Sequence, residues 1–98
     1  MEHIVAKRVT KEFEKIPLYA QKLAEKEYAN IMKAKDFAEL TKLTDIVHLE
    51  GTDEPYYRLK FNKYRYLLYL DVENETLKLL SLTHRKDTYK KKNLSLRK

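Results

Sequence analysis

The side chains best suited to chemistry in this chain crowd into the stretch from Tyr56 to Tyr89. Arg58, Lys60, Lys63 and Arg65 follow one another there with no acidic neighbour, and the stretch closes on His84-Arg85-Lys86-Asp87-Thr88-Tyr89, with Lys90 next. Clustered cations without counter-charges are an electrostatic footprint for a polyanion or an acidic partner. Histidine as a residue type changes charge near neutral pH, which makes His84 a candidate acid or base. These groups are spread over about thirty residues, so they act together only if the intervening chain folds them onto one surface.

The intervening chain has the pattern to do so. In Tyr56-Tyr57-Arg58-Leu59-Lys60-Phe61 the period of two places Tyr57, Leu59 and Phe61 on one side of a strand and Tyr56, Arg58 and Lys60 on the other. One side is expected to pack and the other to carry charge. Tyr64 to Val72 is almost continuously apolar and aromatic, as a central strand covered on both faces would be, with Arg65 at its entrance. Thr76 to Thr83 supplies a third strand. Asn62-Lys63 and Glu73-Asn74-Glu75 are short polar links, and Asn tolerates the positive φ of tight hairpins, although Lys is a weaker second residue than Gly. A three-stranded meander follows, on which Arg58, Lys60, Arg65, Arg85 and Tyr89 would converge at one edge or face.

Upstream, His3 to Ala6 can form a short strand, and a helix is expected from Thr10, which can cap it, carrying Phe13 and Ile16 inward. Pro17 interrupts that helix and opens a second, to about Lys35, whose Ala20, Leu23, Ala24, Tyr28 and Ile31 keep helical spacing. Asp36-Phe37-Ala38-Glu39 resembles a capping box for a short third helix. Thr44 to Pro55 is a connector anchored by Ile46, Val47 and Leu49, with Gly51 in a turn. The predicted class is α+β: a small antiparallel sheet, made of a short N-terminal strand and the C-terminal meander, with two to three helices on one face.

Ninety-eight residues suit one domain, here 1–90, followed by a basic tail, 91–98. Residues 1–83 hold 14 basic and 14 acidic side chains, whereas 84–98 hold seven basic against Asp87 alone, so the whole excess of +6 sits at the end. That tail has two readings, a grip on a polyanion or a solvated end. Cysteine is absent, which removes disulfides and thiolate metal sites, and three separated histidines without paired spacing argue against a metal centre. No cofactor is expected. The N-terminus lacks a secretory signal and no stretch is long enough to span a bilayer, so a cytoplasmic protein without membrane contact is expected.

The order of elements, with Leu49-Glu50-Gly51, Tyr57-Arg58-Leu59-Lys60, Lys63-Tyr64-Arg65 and His84 to Tyr89, resembles the RelE/ParE superfamily of toxins from toxin-antitoxin pairs, over about Ile4 to Lys90. The resemblance implies a domain that sits in the ribosomal A site and cuts messenger RNA by attack of a ribose 2′-hydroxyl on the adjacent phosphate. Carried over by position, Arg58 and Lys60 match the family's basic pair, Arg65 its phosphate-binding arginine, Arg85 its C-terminal arginine and Tyr89 its nucleotide-stacking tyrosine. Lys63, Lys86 and Lys90 would add RNA contacts. A guanidinium forks across two phosphate oxygens and stays charged, which suits Arg65 and Arg85 to transition-state charge. Lys60 could serve as base only if burial and neighbouring cations favour its neutral amine.

The departures are specific. Lys63 replaces the family's usual glycine, and the carboxylate base of some relatives has no assured counterpart, with Asp45, His48 and Glu50 nearby. The plain alternatives are that Arg58 and Lys60 solubilise a sheet face, that Arg65 and Arg85 pair with Asp71 or Asp87, and that His3 and His48 are structural. Two functions follow: a ribosome-dependent endoribonuclease, or a ParE-like inhibitor of gyrase or a module that only engages its antitoxin. Either implies a small antitoxin partner, acidic where it covers the basic face. The first adds the ribosome and messenger RNA.

Overall fold

The computed structural model describes residues 1–85. In chain order the elements are β1 (Glu2–Val5), α1 (Lys7–Lys15), α2 (Leu18–Lys33), α3 (Phe37–Leu43), β2 (Val47–His48), β3 (Tyr56–Phe61), β4 (Tyr64–Asp71) and β5 (Thr76–His84). The strands form one sheet in the order β1-β5-β4-β3-β2. The helices pack on one face of it, so the α+β architecture and the C-terminal meander are as expected.

The N-terminal strand corrects the antiparallel expectation. β1 runs parallel to β5, pairing Glu2 with Thr76 and Val5 with Leu79, so the sheet is mixed. The chain leaves this edge and crosses by three helices to the opposite edge, and that long crossover is what a parallel neighbour requires. α1 also begins earlier than predicted. Ala6 ends the strand, its N–H bonded to the Leu79 carbonyl at 2.9 Å, and its own carbonyl accepts from Val9 at 3.0 Å. The helix therefore starts where the strand stops, and Thr10 lies within it rather than capping it.

Pro17 then separates α1 from α2 and is the N-cap of the second helix, its carbonyl accepting the Gln21 N–H at 2.9 Å. α2 buries the narrow line Ala20, Ala24 and Ile31, whereas Leu23 and Tyr28, predicted inward, flank that line and stay exposed. Small residues let the helix lie close to the sheet. The Tyr66 hydroxyl donates to the Ala24 carbonyl at 3.0 Å across the interface. In α3, Asp36 Oδ1 accepts the Glu39 N–H at 2.8 Å, and Glu39 Oε1 reaches back to the Lys35 N–H at 3.3 Å.

The main core lies between helices and sheet, with Val9, Ile31, Leu40, Leu59, Tyr66, Leu68, Leu77, Leu79 and Leu82 at its centre. A smaller cluster of Leu49, Tyr56, Leu67 and Leu80, joined by Tyr69, occupies the helix-free face. Tyr56, expected on the charged side of its strand, is thus buried, with its ring 5.1 Å from that of Tyr69. A bulge makes this second cluster possible. Leu67 pairs with Ser81 and Leu68 with Leu79, leaving Leu80 unopposed, so Leu79 and Leu80 feed opposite sides. Of the connector's three anchors, Leu49 is buried and Ile46 half-buried, but Val47 is 44% exposed.

Candidate functional site

β3 and β4 are joined by the two-residue turn Asn62-Lys63, which sets their register. Asn62 takes φ 56° and accepts the Lys63 N–H on its own Oδ1 at 2.8 Å. Lys63 has no positive φ, so the turn does not need glycine there. The register that follows pairs Tyr56 with Tyr69, Arg58 with Leu67 and Lys60 with Arg65 on the helix-free face.

Lys60 and Arg65 are therefore direct cross-strand neighbours, with Cβ atoms roughly 5 Å apart. Arg58 stands two residues along the same face, about 7 Å away. Arg65 pairs on its other side with Thr83, and the Arg85 N–H donates to the Lys63 carbonyl at 2.8 Å. Three of the predicted residues, Arg58, Lys60 and Arg65, thus form a strip at the β3-β4 hairpin end of the sheet, with Lys63 in the turn and Arg85, one residue past the end of β5, beside it.

Among the described residues nothing neutralises the strip. Among the described residues the ion pairs are Arg8 with Glu12 and Lys78 with Asp71, neither of which touches it. Asp71 is engaged 3.9 Å from Lys78 rather than with Arg65, and Asp87 lies outside the described residues. Hydrogen bonds from the Asn74 side chain and backbone, helped by Lys78, hold Asp71 below the usual carboxylate range. Like charges directly opposed on a sheet are destabilising. Arg65 adds a second cost, because its Nε is buried without a hydrogen-bond partner and Nη1 makes only a 3.5 Å contact to the Tyr64 carbonyl. Lys60 is exposed, so burial does not contribute to making it a base.

His84 is not brought into this strip. It pairs with Tyr64 on the helix-bearing face, their rings edge to face at 5.6 Å. Tyr89, Lys86 and Lys90, and the tail 91–98, lie outside the described residues.

A feature hidden in the connector is the edge strand β2. Val47 pairs with Arg58 and His48 with Tyr57, which sets a pocket of about 380 Å³ beside the strip, lined by Val47, His48, Glu50 and Arg58. The His48 Nε2–H donates to the Glu54 carbonyl at 2.9 Å and its ring stands 5.4 Å from Tyr57, so the loop around Gly51, φ 84°, is tied down. The apolar-polar alternation of Val47-His48 is a faint strand signal in the sequence. Two residues are too few for it to stand out.

A three-helix crossover over a mixed five-stranded sheet, with a basic strip on the helix-free face, defines a class of small α+β proteins. No family model and no curated protein matches the sequence. Solved structures do match. The RelB-RelE antitoxin-toxin complex from Methanococcus jannaschii aligns with TM-score 0.67 and 20% identity over 90% of this chain and 96% of that one. The RelE-RelB complex from Pyrococcus horikoshii OT3 aligns with TM-score 0.62 and 22% identity, over 86% and 93%. The intact RelBE complex of E. coli gives 0.59 and 15%, over 85% and 94%. The chain has the RelE fold.

Proposed function

We propose that this chain is the toxin of a toxin-antitoxin pair and acts as an endoribonuclease on messenger RNA in the ribosome. The observation that carries the reading is the strip of Arg58, Lys60 and Arg65 on the helix-free sheet face, with no counter-charge among the described residues and the Arg65 Nε left without a partner. A phosphodiester supplies what that strip lacks. In the reaction the ribose 2′-oxygen bonds to phosphorus, the bond from phosphorus to the 5′-oxygen breaks, and negative charge builds on the non-bridging oxygens between. Arg65 and Arg58 stabilise that charge, and Arg85 does so from the end of the strip. Guanidinium groups stay charged, so the strip supplies positive charge, to which Lys60 adds, rather than a general base; water takes the 2′-hydroxyl proton and gives one to the leaving 5′-oxygen. Tyr89 is assigned the stacking role that the resemblance gives it.

Two partners follow from this reading. RelE structures are solved in complex with RelB, and a basic strip on this chain fits an antitoxin segment rich in Asp and Glu. The other partner is the ribosome with its messenger.

The test is to add the protein to translating ribosomes on a defined messenger and map new 5′ ends. The expected result is cleavage within the A-site codon, reduced about 10²-fold or more by Arg65→Ala with unchanged thermal unfolding. Intact messenger in the presence of folded protein overturns the nuclease, and inhibition of gyrase supercoiling would then identify the ParE-like alternative.

A further inference from the structure

We propose that the cleft between α1 and α2 binds a small alkylammonium ion, with the charge held by Glu25 and the chain laid on the apolar wall. The cleft has a volume of about 280 Å³. Val9 and Phe13 from α1, Tyr28 from α2, and Val5 and Tyr66 from the sheet line it. It therefore lies on the helix-bearing side of the sheet, where the Tyr66 hydroxyl meets α2, and stands apart from the cationic strip and from the RNA reading. Thr10 and Glu25 complete the lining, and among the described residues no basic side chain joins them. Glu25 is the feature that needs explaining. Among the described residues neither Glu25 nor Tyr28 makes a side-chain hydrogen bond or an ion pair, and the Tyr28 ring is left 37% exposed beside a core that does not cover it.

One carboxylate over an apolar and aromatic wall selects ligands by charge. An anion is repelled by Glu25, and an uncharged chain leaves the carboxylate unmet. A protonated amine on a short chain satisfies both parts. Its ammonium has three donors and no acceptor, for the Glu25 carboxylate and the hydroxyl oxygens of Thr10 and Tyr28, and an aromatic face nearby adds cation–π attraction. Its methylenes displace water from Val5, Val9 and Phe13. The field in the cleft already has the required sign. Burial, and after it Tyr28, Glu27 and Glu25, push the Tyr66 phenol up, because negative charge at that point disfavours a phenolate, and the same charge favours a cation. The volume lies just under the roughly 300–1,000 Å³ of ordinary small-molecule sites, which suits a short chain rather than a ring system. A free polyamine and the lysine side chain of a bound peptide share this chemistry.

The experiment titrates the isotope-labelled full chain, at constant ionic strength, with pentylammonium, pentanol and pentanoate, following backbone amides by NMR. Pentylammonium is expected to shift Val9, Phe13, Glu25 and Tyr28, to leave Arg58 and Lys60 in place, and to bind about tenfold more tightly than pentanol, with pentanoate weakest. Glu25 is exposed on its helix, so Glu25→Gln should keep the thermal unfolding of the parent and abolish the preference for the amine while pentanol still binds. Equal affinities for amine and alcohol, a preference that survives Glu25→Gln, or pentylammonium shifts scattered over the other acidic residues overturn the site. Spermidine and Nα-acetyl-lysine methylamide then separate the two sources. The tighter of the pair identifies a free polyamine or a peptide side chain, and no shift in the cleft from either overturns the proposal.

Discussion

At the scale of single residues, the buried polar groups of the described residues separate into those with a hydrogen-bond partner and those without. Burial, and after it the nearby Tyr28, Glu27 and Glu25, push the Tyr66 phenol up, so it remains a proton donor to the Ala24 carbonyl and pins α2 to the sheet. The Arg65 Nε, like His3 Nε2 and Ser81 Oγ, makes no such bond. Glu27 is a third case. Burial raises its pKa above the ordinary 4.5, Lys26 opposes the shift and Asp45 adds to it. For an acid whose pKa rises on folding, the ionised form is disfavoured in the native state, so stability falls as pH rises from the unfolded value through the folded one. Glu27→Gln should raise the melting temperature at pH about 7 and leave it nearly unchanged at pH about 3.5. An equal gain at both values in thermal unfolding would contradict this.

At the scale of elements, the sheet edge shows how far periodicity reaches. β5 pairs with β1 only through Leu79, and beyond that point its edge donors face α1. The Leu82 N–H is met there by Glu12 Oε1 at 2.9 Å, while Glu12 Oε2 accepts from Arg8 at 2.8 Å. A helix carboxylate thus completes a strand that has run out of partners. Glu12→Ala leaves the Leu82 N–H buried and unmet and should cost about 1–3 kcal/mol in chemical unfolding, with Glu12→Gln costing less because an acceptor remains. The alternation of β3 and the apolar run of β4 were plain in the sequence, as was the capping pair of Asp36 and Glu39. The start of α1 was not, because Ala6 is held by a hydrogen bond to Leu79, seventy-three positions away. The parallel pairing of β1 and the bulge at Leu80 were hidden for the same reason: each depends on which segment lies alongside.

At the scale of the molecule, charge and architecture have separate origins. The helices occupy one face of the sheet and leave the other with a small apolar cluster next to a cationic strip. Binding of single-stranded RNA to three or four cations releases counterions, so log affinity should fall against log salt with a slope of about −2 to −3. Replacing Lys60 or Arg65 by Ala should flatten that slope by a little under one. A slope near zero in anisotropy titrations across salt concentrations would remove the strip from RNA binding.

The sequence alone determined the class of fold, the three strands of the meander, the places where proline and Asp36 divide the helices, and the identity of the cations that share a face. Those features depend on side-chain period, backbone restriction and local capping, all of which act over a few residues. The tertiary structure alone decided that β1 is parallel, that His84 turns to the helix side, that Tyr56 is buried, and that Glu50 and Val47 stand beside Arg58. Each of these follows from packing between segments distant in the chain, where one shift in register moves a side chain to the opposite face.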